Sequence, residues 1–358
     1  MANFYASKEW VILFPPDMLE VKKAAGDLAR YIGILAGNTE PALMDACGPA
    51  PSGTAHIIAL NSEGSNPQRN GFSWRAGPER IEIYGESGRG LCNGIYSFLS
   101  ALGLSWPAPG QEILPSPQAA NLRVFPLSCC GNVDDAAFEP SNYEGNNPVL
   151  APWRRYIPSG EDEVKAILKK SEEFVAWAAR RRYDALIFPL TAFSSRSLGR
   201  KLKELQKTAA EYGISMEAGG RELSALVPRL SFWFHRDFFR MEAGRRKKDH
   251  HFCPTNPGTI QIINKEGDRL FRAAEGVRVF HLWPGKGAHT AWCSCPTCRA
   301  FTPAEQNRIG VNAAADILAA INPDAYITFF EKPGEGGNIP LRKSLFKMEK
   351  LPDEKELR

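Results

Sequence analysis

The sequence predicts an α/β protein in two parts. A small α/β accessory domain covers residues 1–121, and a (β/α) barrel-like domain, incomplete and C-terminally short, covers residues 122–358. Three observations carry this. Strand-length apolar runs alternate with stretches of helical apolar spacing. The stretch from Trp106-Pro107-Ala108-Pro109-Gly110 to Pro117 is proline-rich and marks a boundary. Beyond it the pattern settles into repeated strand–helix units, which give parallel strands joined by crossovers.

In the first part, Trp10 to Phe14 reads as a short strand stopped by Pro15-Pro16. Asp17 caps a helix in which Val21, Leu28, Ile32 and Leu35 recur at helical spacing, and Gly37 ends it. Ala55 to Leu60 reads as a buried strand. Gly71 to Ala76 and Arg80 to Tyr84 read as a hairpin around Gly77-Pro78. Leu91, Ile95, Phe98 and Leu102 define a second helix closed by Gly103.

In the second part, strands are expected over Val124 to Cys129, Asp184 to Leu190, Ile214 to Ala218, Val277 to Trp283 and Tyr326 to Phe330. Helices are expected over Val164 to Arg181, around Leu198 to Ala209, and over Ile260 to Ala274 and Pro303 to Ala320. Such units form a sheet that is either doubly wound or closed as a barrel. The loops after the strands are long and rich in Trp, His, Arg and Cys, which favours a barrel with its site at the strand C-terminal ends. A full eight-unit barrel takes roughly 250 residues. About 235 remain here, with five legible strands and a charged tail from Lys332.

A net charge of +4 over 358 residues makes no strong case for nucleic acid or an anionic membrane as partner. No apolar run approaches the ~20 residues that span a bilayer, and the N-terminus lacks a secretory pattern. The expectation is a cytoplasmic protein whose eight cysteines are thiols or metal ligands.

Trp292-Cys293-Ser294-Cys295-Pro296-Thr297-Cys298 places three thiols in one tight turn, and Cys253 lies upstream in His251-Phe252-Cys253-Pro254. Four such sulfurs suit a closed, structural Zn²⁺ site. The plainer reading is a loop of reduced thiols. A closed site has no open coordination position, so no catalysis is assigned to it.

Gly85-Glu86-Ser87-Gly88-Arg89-Gly90-Leu91-Cys92-Asn93-Gly94-Ile95-Tyr96-Ser97-Phe98-Leu99, followed by Leu102-Gly103, Trp106-Pro107 and Pro109-Gly110, resembles the accessory N-terminal domain of α-glucuronidases and β-hexosaminidases. Phe252-Cys253-Pro254-Thr255-Asn256-Pro257 with Trp292 to Cys298 is similar to a bacterial domain-of-unknown-function family grouped with glycoside hydrolases. The resemblance runs from about residue 10 to 330 and implies carbohydrate chemistry. In such relatives a His often follows the Gly-Gly of the third strand and an Asp follows the Trp-Pro of the fourth. Here Arg221 follows Gly219-Gly220 and Gly285 follows Trp283-Pro284, which implies weakened or lost activity.

Glycosidases use a carboxylate pair roughly 5–9.5 Å apart. The strand-end candidates are Glu217 and Glu331, with Glu222 in reserve; each also suits an ordinary ion pair. Trp283, Trp292, His281 and His289 suit a sugar subsite, though Trp283 and His281 equally suit a core. Arg154 and Arg221 suit a uronate carboxylate. The aromatic loop 231–240 is a lid or an oligomer patch, or else a loop with its own small core. Two functions follow: a glycoside hydrolase for uronic-acid-containing oligosaccharides, or a non-catalytic carbohydrate-binding or scaffold protein.

Overall fold

A computed structural model of the chain describes residues 2–6, 8–37, 39–48, 56–62, 70–77, 79–116, 124–127, 130–133, 154–249, 251–285, 292–332 and 337–348. The first sheet contains β2 (Trp10–Phe14), β3 (Ala42–Asp45), β4 (His56–Ser62), β5 (Phe72–Ala76), β6 (Arg80–Gly85) and β8 (Cys130–Val133). Their order is β3-β2-β4-β6-β5-β8. Its β2, β3, β4 and β6 run parallel, while β5 is antiparallel to β6 and to β8. β1 (Ala2–Tyr5) pairs antiparallel with β7 (Val124–Leu127).

Two helices serve this sheet. α1 (Leu19–Ala36) buries Val21, Ala25, Leu28, Ile32 and Leu35 along one stripe, and ends at Gly37 in the left-handed conformation, φ 89°. α2 (Gly88–Ala101) is capped by Ser87, which accepts from the Gly90 amide at 3.0 Å. The glycines of this motif are packing devices. A Cβ on Gly85 would stand 2.1 Å from the Leu91 nitrogen, so only a bare backbone allows the strand to turn into α2.

The second sheet holds β9 (Arg155–Tyr156), β10 (Ala185–Phe188), β11 (Ser215–Gly220), β14 (Val279–Leu282), β15 (Tyr326–Phe330) and β16 (Leu345–Met348). All pairs are parallel and the spatial order follows the chain order. The strand order never reverses, as it would in a doubly wound sheet. The winding is therefore that of a barrel wall, with six described strands where a complete barrel has eight. The crossovers carry α3 (Glu161–Lys169), α4 (Ser171–Arg180), α5 (Leu190–Phe193), α6 (Leu198–Glu211), α7 (Pro257–Ala273) and α8 (Pro303–Ile321). A small hairpin, β12 (Met241–Glu242) with β13 (Arg245–Arg246), projects between β11 and α7.

Three expectations are corrected. Val124–Leu127 is a strand but pairs with β1, so β9 opens the parallel series. The helix expected over 164–181 is two helices, broken at Lys170 by φ −130° and ψ 49°. The tail carries a sixth strand, β16, which adds to β15.

The two sheets meet through a buried polar rivet. Arg89 of α2 donates to Asp184 at 3.3 Å and to the carbonyls of Tyr183, Ala179 and Tyr212. Asn93 donates to the same Asp184 oxygen at 3.0 Å, and the Arg154 amide reaches the other at 3.1 Å. Asp184 sits just before β10, so α2 is fastened to the N-terminal edge of the parallel sheet.

Candidate functional site

The C-terminal ends of β11, β14 and β15 bring polar side chains into the barrel interior, and register decides which of them meet. His281 is paired with Gly219 on one side and Thr328 on the other. Glycine at 219 is required there: its φ is +111°, and a Cβ would lie 2.1 Å from the His281 carbonyl oxygen.

Arg155 of β9 donates to both oxygens of Glu217, at 2.8 and 3.3 Å. His281 Nε2 lies 2.9 Å from Glu217, His281 Nδ1 lies 2.7 Å from the Thr328 hydroxyl, and the Trp283 indole donates to that hydroxyl at 2.9 Å. One proton arrangement satisfies every partner. Trp283 donates to Thr328, Thr328 to Nδ1, and Nε2–H to the carboxylate, with a neutral imidazole. Burial pulls the His281 pKa down, which agrees with that form. Glu217 is 1% exposed. Burial alone would raise its pKa, but Arg155 and then His281 outweigh burial and hold it at about 2.

Glu331, at the end of β15, is 3% exposed and held by Arg308 of α8 through bonds of 2.9 and 2.6 Å. Arg308 also donates to the carbonyls of Gly337 and Ile339. Glu222 accepts from the Leu190 amide and the Thr191 hydroxyl, tying the loop after β11 to the start of α5. Burial pushes its pKa up.

Beside Glu331 lies a shallow cleft with an enclosed volume of only about 10 Å³, lined by Pro284, Trp292, Pro303, Ala304, Asn307, Phe330, Glu331 and Lys332. It sits where β14 and β15 end and α8 begins. Trp292 forms one wall and lies against His251, with ring centres 4.4 Å apart and the ring planes tilted by 32°.

Against this wall is the cysteine cluster. The sulfurs of Cys253, Cys293, Cys295 and Cys298 all lie within 4.8 Å of one another and all four residues are buried. A tetrahedron of sulfurs about 2.3 Å from a central ion has edges of about 3.8 Å. Cys253 lies 3.7 Å from Cys295 and 3.6 Å from Cys298, so the four residues fit a metal ion. The Cys293 hydrogen bond, followed by the Arg246 guanidinium, pulls the Cys253 pKa down against the effect of burial. The loops are fixed independently of any ion. Gln306 of α8 accepts from the Cys293 amide at 3.0 Å and donates to the carbonyls of Cys293, Cys298 and Phe301. The Met241 amide and Thr255 hydroxyl contact the sulfurs of Cys293 and Cys298.

No protein-family model matches the sequence, and no curated protein does. Solved structures do. A family 20 exo-β-N-acetylglucosaminidase from Vibrio harveyi aligns over 96% of this chain and 54% of its own, at 11% identity and a TM-score of 0.51. The chitobiase of Flavobacterium johnsoniae aligns over 92% and 50%, at 13% identity and 0.54. A β-N-acetylhexosaminidase from Bacteroides fragilis aligns over 95% and 65%, at 15% identity and 0.50. The chain has a glycoside-hydrolase-like fold. It spans about half to two-thirds of the length of these enzymes.

Of the residues singled out in the sequence, Glu217, His281 and Trp283 share the buried network, and Glu331 and Trp292 share the cleft wall. Arg221 is half-buried just past β11, next to Glu222. Arg154 stands apart from them: its guanidinium donates to the Arg181 carbonyl at 2.7 Å, at the edge where the strands begin. His289 lies outside the described residues. Sequence reasoning missed Thr328, Gln306, Asn307 and Arg308. Arg246 of β13 also belongs to this wall: its guanidinium donates to the Phe239 carbonyl and faces Cys293 at 3.9 Å.

Proposed function

We propose that the protein binds carbohydrate at the C-terminal ends of its parallel strands and does not hydrolyse it. One observation carries this reading: both strand-end carboxylates are locked by arginine, Glu217 by Arg155 and Glu331 by Arg308. A glycosidase needs one carboxyl that keeps its proton near working pH and a second free to attack or to activate water. Glu217, held at about 2, has no proton to give near neutrality. Glu331 borders the cleft with both oxygens engaged. Arg221 and Gly285 stand where the resemblance noted in the sequence would put His and Asp, which agrees with lost chemistry.

A second reading, a glycoside hydrolase for uronic-acid-containing oligosaccharides, draws on Glu222. Its raised pKa is the direction a general acid needs, though Leu190 and Thr191 occupy its oxygens.

The cysteine cluster is proposed to hold one structural Zn²⁺, since four buried thiolates leave no position for water. Reduced thiols of this kind suit the cytoplasm. The division into an accessory and a barrel-like domain stays a proposal, with its boundary moved past β8 because that strand pairs with β5. Loop 231–240 is proposed as an association patch: Trp233 is 63% and Phe234 85% exposed.

The test is calorimetric titration with oligosaccharides beside an aryl-glycoside hydrolysis panel. Binding without turnover supports the proposal. Turnover lost in Glu217→Gln or Glu331→Gln refutes it in favour of the hydrolase.

A further inference from the structure

We infer that the segment 229–249 docks the protein on an anionic lipid bilayer. Leu230, Trp233 and Phe234 enter the boundary between headgroups and acyl chains, and the Arg and Lys around them meet the lipid phosphates. This stands independently of the carbohydrate reading and names the partner of the association patch.

The charge of the chain is concentrated here. Residues 229–249 hold seven Lys and Arg against three Asp and Glu, a surplus equal to the +4 of all 358 residues. The three acids are engaged. Asp237 accepts from Asn256 at 2.7 Å, Asp249 pairs with Arg240 at 2.6 Å, and Glu242 pairs with Arg240 and Lys247 at 3.3 and 3.7 Å. Arg246 faces the Cys293 sulfur. Arg236, Arg245 and Lys248 remain exposed, with no carboxylate partner among the described residues. A charge of this size spread over the whole surface would attract a membrane weakly; gathered in one segment, within a Debye length, it acts together.

The apolar tip is held outward by the fold. Arg229–Trp233 is a 3₁₀ helix, whose three residues per turn put Leu230 and Trp233 on one side. Leu230 is 76% exposed, beside the exposed Trp233 and Phe234. The small core of the loop takes other rings: Phe232 lies edge-on to the buried Phe239 at 5.2 Å, and His235 stacks on Phe238 at 4.6 Å. Its base is pinned, because the Phe238 carbonyl accepts from the Cys253 amide at 2.8 Å and the Thr259 hydroxyl at 3.2 Å. Three large apolar side chains fixed in water gain by entering an apolar medium. The cations flank them: the Lys248 ammonium is 4.8 Å from the Trp233 ring centre and the Arg236 guanidinium 5.8 Å from that of Phe232. From there they reach phosphates while the tip sinks deeper. A second copy of the chain would meet this patch with the same patch and set cations against cations. An acidic polysaccharide would answer the charge, but its hydroxyls find no hydrogen-bonding side chain in Leu230 or Phe234.

The experiment is flotation of the full chain with vesicles of phosphatidylcholine alone or mixed with phosphatidylserine. It uses wild type, Trp233→Ser with Phe234→Ser, and Arg236→Glu with Lys248→Glu. Wild type is expected to bind the mixed vesicles roughly tenfold or more tightly than phosphatidylcholine, and less tightly in high salt. Each cation near an anionic leaflet is worth roughly fivefold, so the charge variant loses about twentyfold or more and with it the preference for phosphatidylserine. The aromatic variant weakens binding to both vesicles. All four side chains are exposed, so both variants are expected to fold; if one does not, the other decides alone. No binding to mixed vesicles, equal binding to both kinds, or binding untouched by both variants overturns the inference. Binding to polygalacturonate in place of vesicles, lost in the same variants, overturns it in favour of an acidic polysaccharide. A dimer in place of vesicle binding, dispersed by the aromatic variant in sedimentation, overturns it in favour of a second copy. The saccharide titration above is unaffected by any of these results.

Discussion

Replacing Glu217 with glutamine is expected to destabilise the fold, because its carboxylate is the negative centre of a buried network. The substitution keeps the shape and removes the charge. Arg155 is then left buried without its counter-charge, and breaking a buried pair in this way costs about 3–5 kcal/mol. The titration of Glu217 gives an independent figure. A carboxyl that titrates at 4.5 in the unfolded chain and at about 2 in the fold contributes up to about 3 kcal/mol at neutral pH. Because the folded value is the lower one, this stability is fully present above 4.5 and is lost as pH falls towards 2. The assay is urea unfolding of wild type and Glu217→Gln at a series of pH values. The expected gap is about 3 kcal/mol at pH 7 and narrows steadily below pH 4.5. A variant within about 1 kcal/mol of wild type at pH 7, the size of an ordinary surface change, refutes the reasoning. So does a gap that stays constant down to the lowest pH.

Other expectations follow from the same geometry. Purified protein should carry one tightly held Zn²⁺, and its removal by chelation should raise amide exchange in 239–256 and 292–301 while β10 and β11 keep their protection; uniform exchange changes contradict a local clamp. Gln306→Leu should loosen the same loops even with metal bound, since four hydrogen bonds to the knuckle are lost, and hydrogen exchange reads this directly. Arg89→Met leaves Asp184 buried with one cation fewer and should cost about 3–5 kcal/mol, seen as a lowered unfolding midpoint. Gly219→Ala should prevent correct pairing of β11 with β14, seen as loss of soluble folded protein, because the added methyl meets the His281 carbonyl.

What was legible in the sequence was what local pattern controls. The periodicity of Val21, Leu28, Ile32 and Leu35 located α1, and the apolar runs located β2, β4, β10 and β15 within a few residues. Spacing also located the cysteine cluster, because three of its members share one turn. Pairing partners were not legible. Val124–Leu127 has the composition of any strand, and only the fold shows that it joins β1. β16 was missed because four residues of mixed polarity in a charged tail carry no period. The candidate carboxylates were found by position, yet their state depends on Arg155 and Arg308, which lie 62 and 23 residues away in sequence. Asn307 and Gln306 carry no signal of their own on a helix and gain their roles only from what α8 packs against.

The central claim is that the strand-end carboxylates serve structure and that the face they occupy binds sugar without cleaving it. Its most direct test is one measurement on one sample: titrating wild-type protein with a uronic-acid-containing oligosaccharide by calorimetry, then assaying the same mixture for released reducing ends. Saturable binding with the oligosaccharide recovered intact is the predicted result. Release of reducing ends that disappears in Glu331→Gln or Glu217→Gln contradicts it.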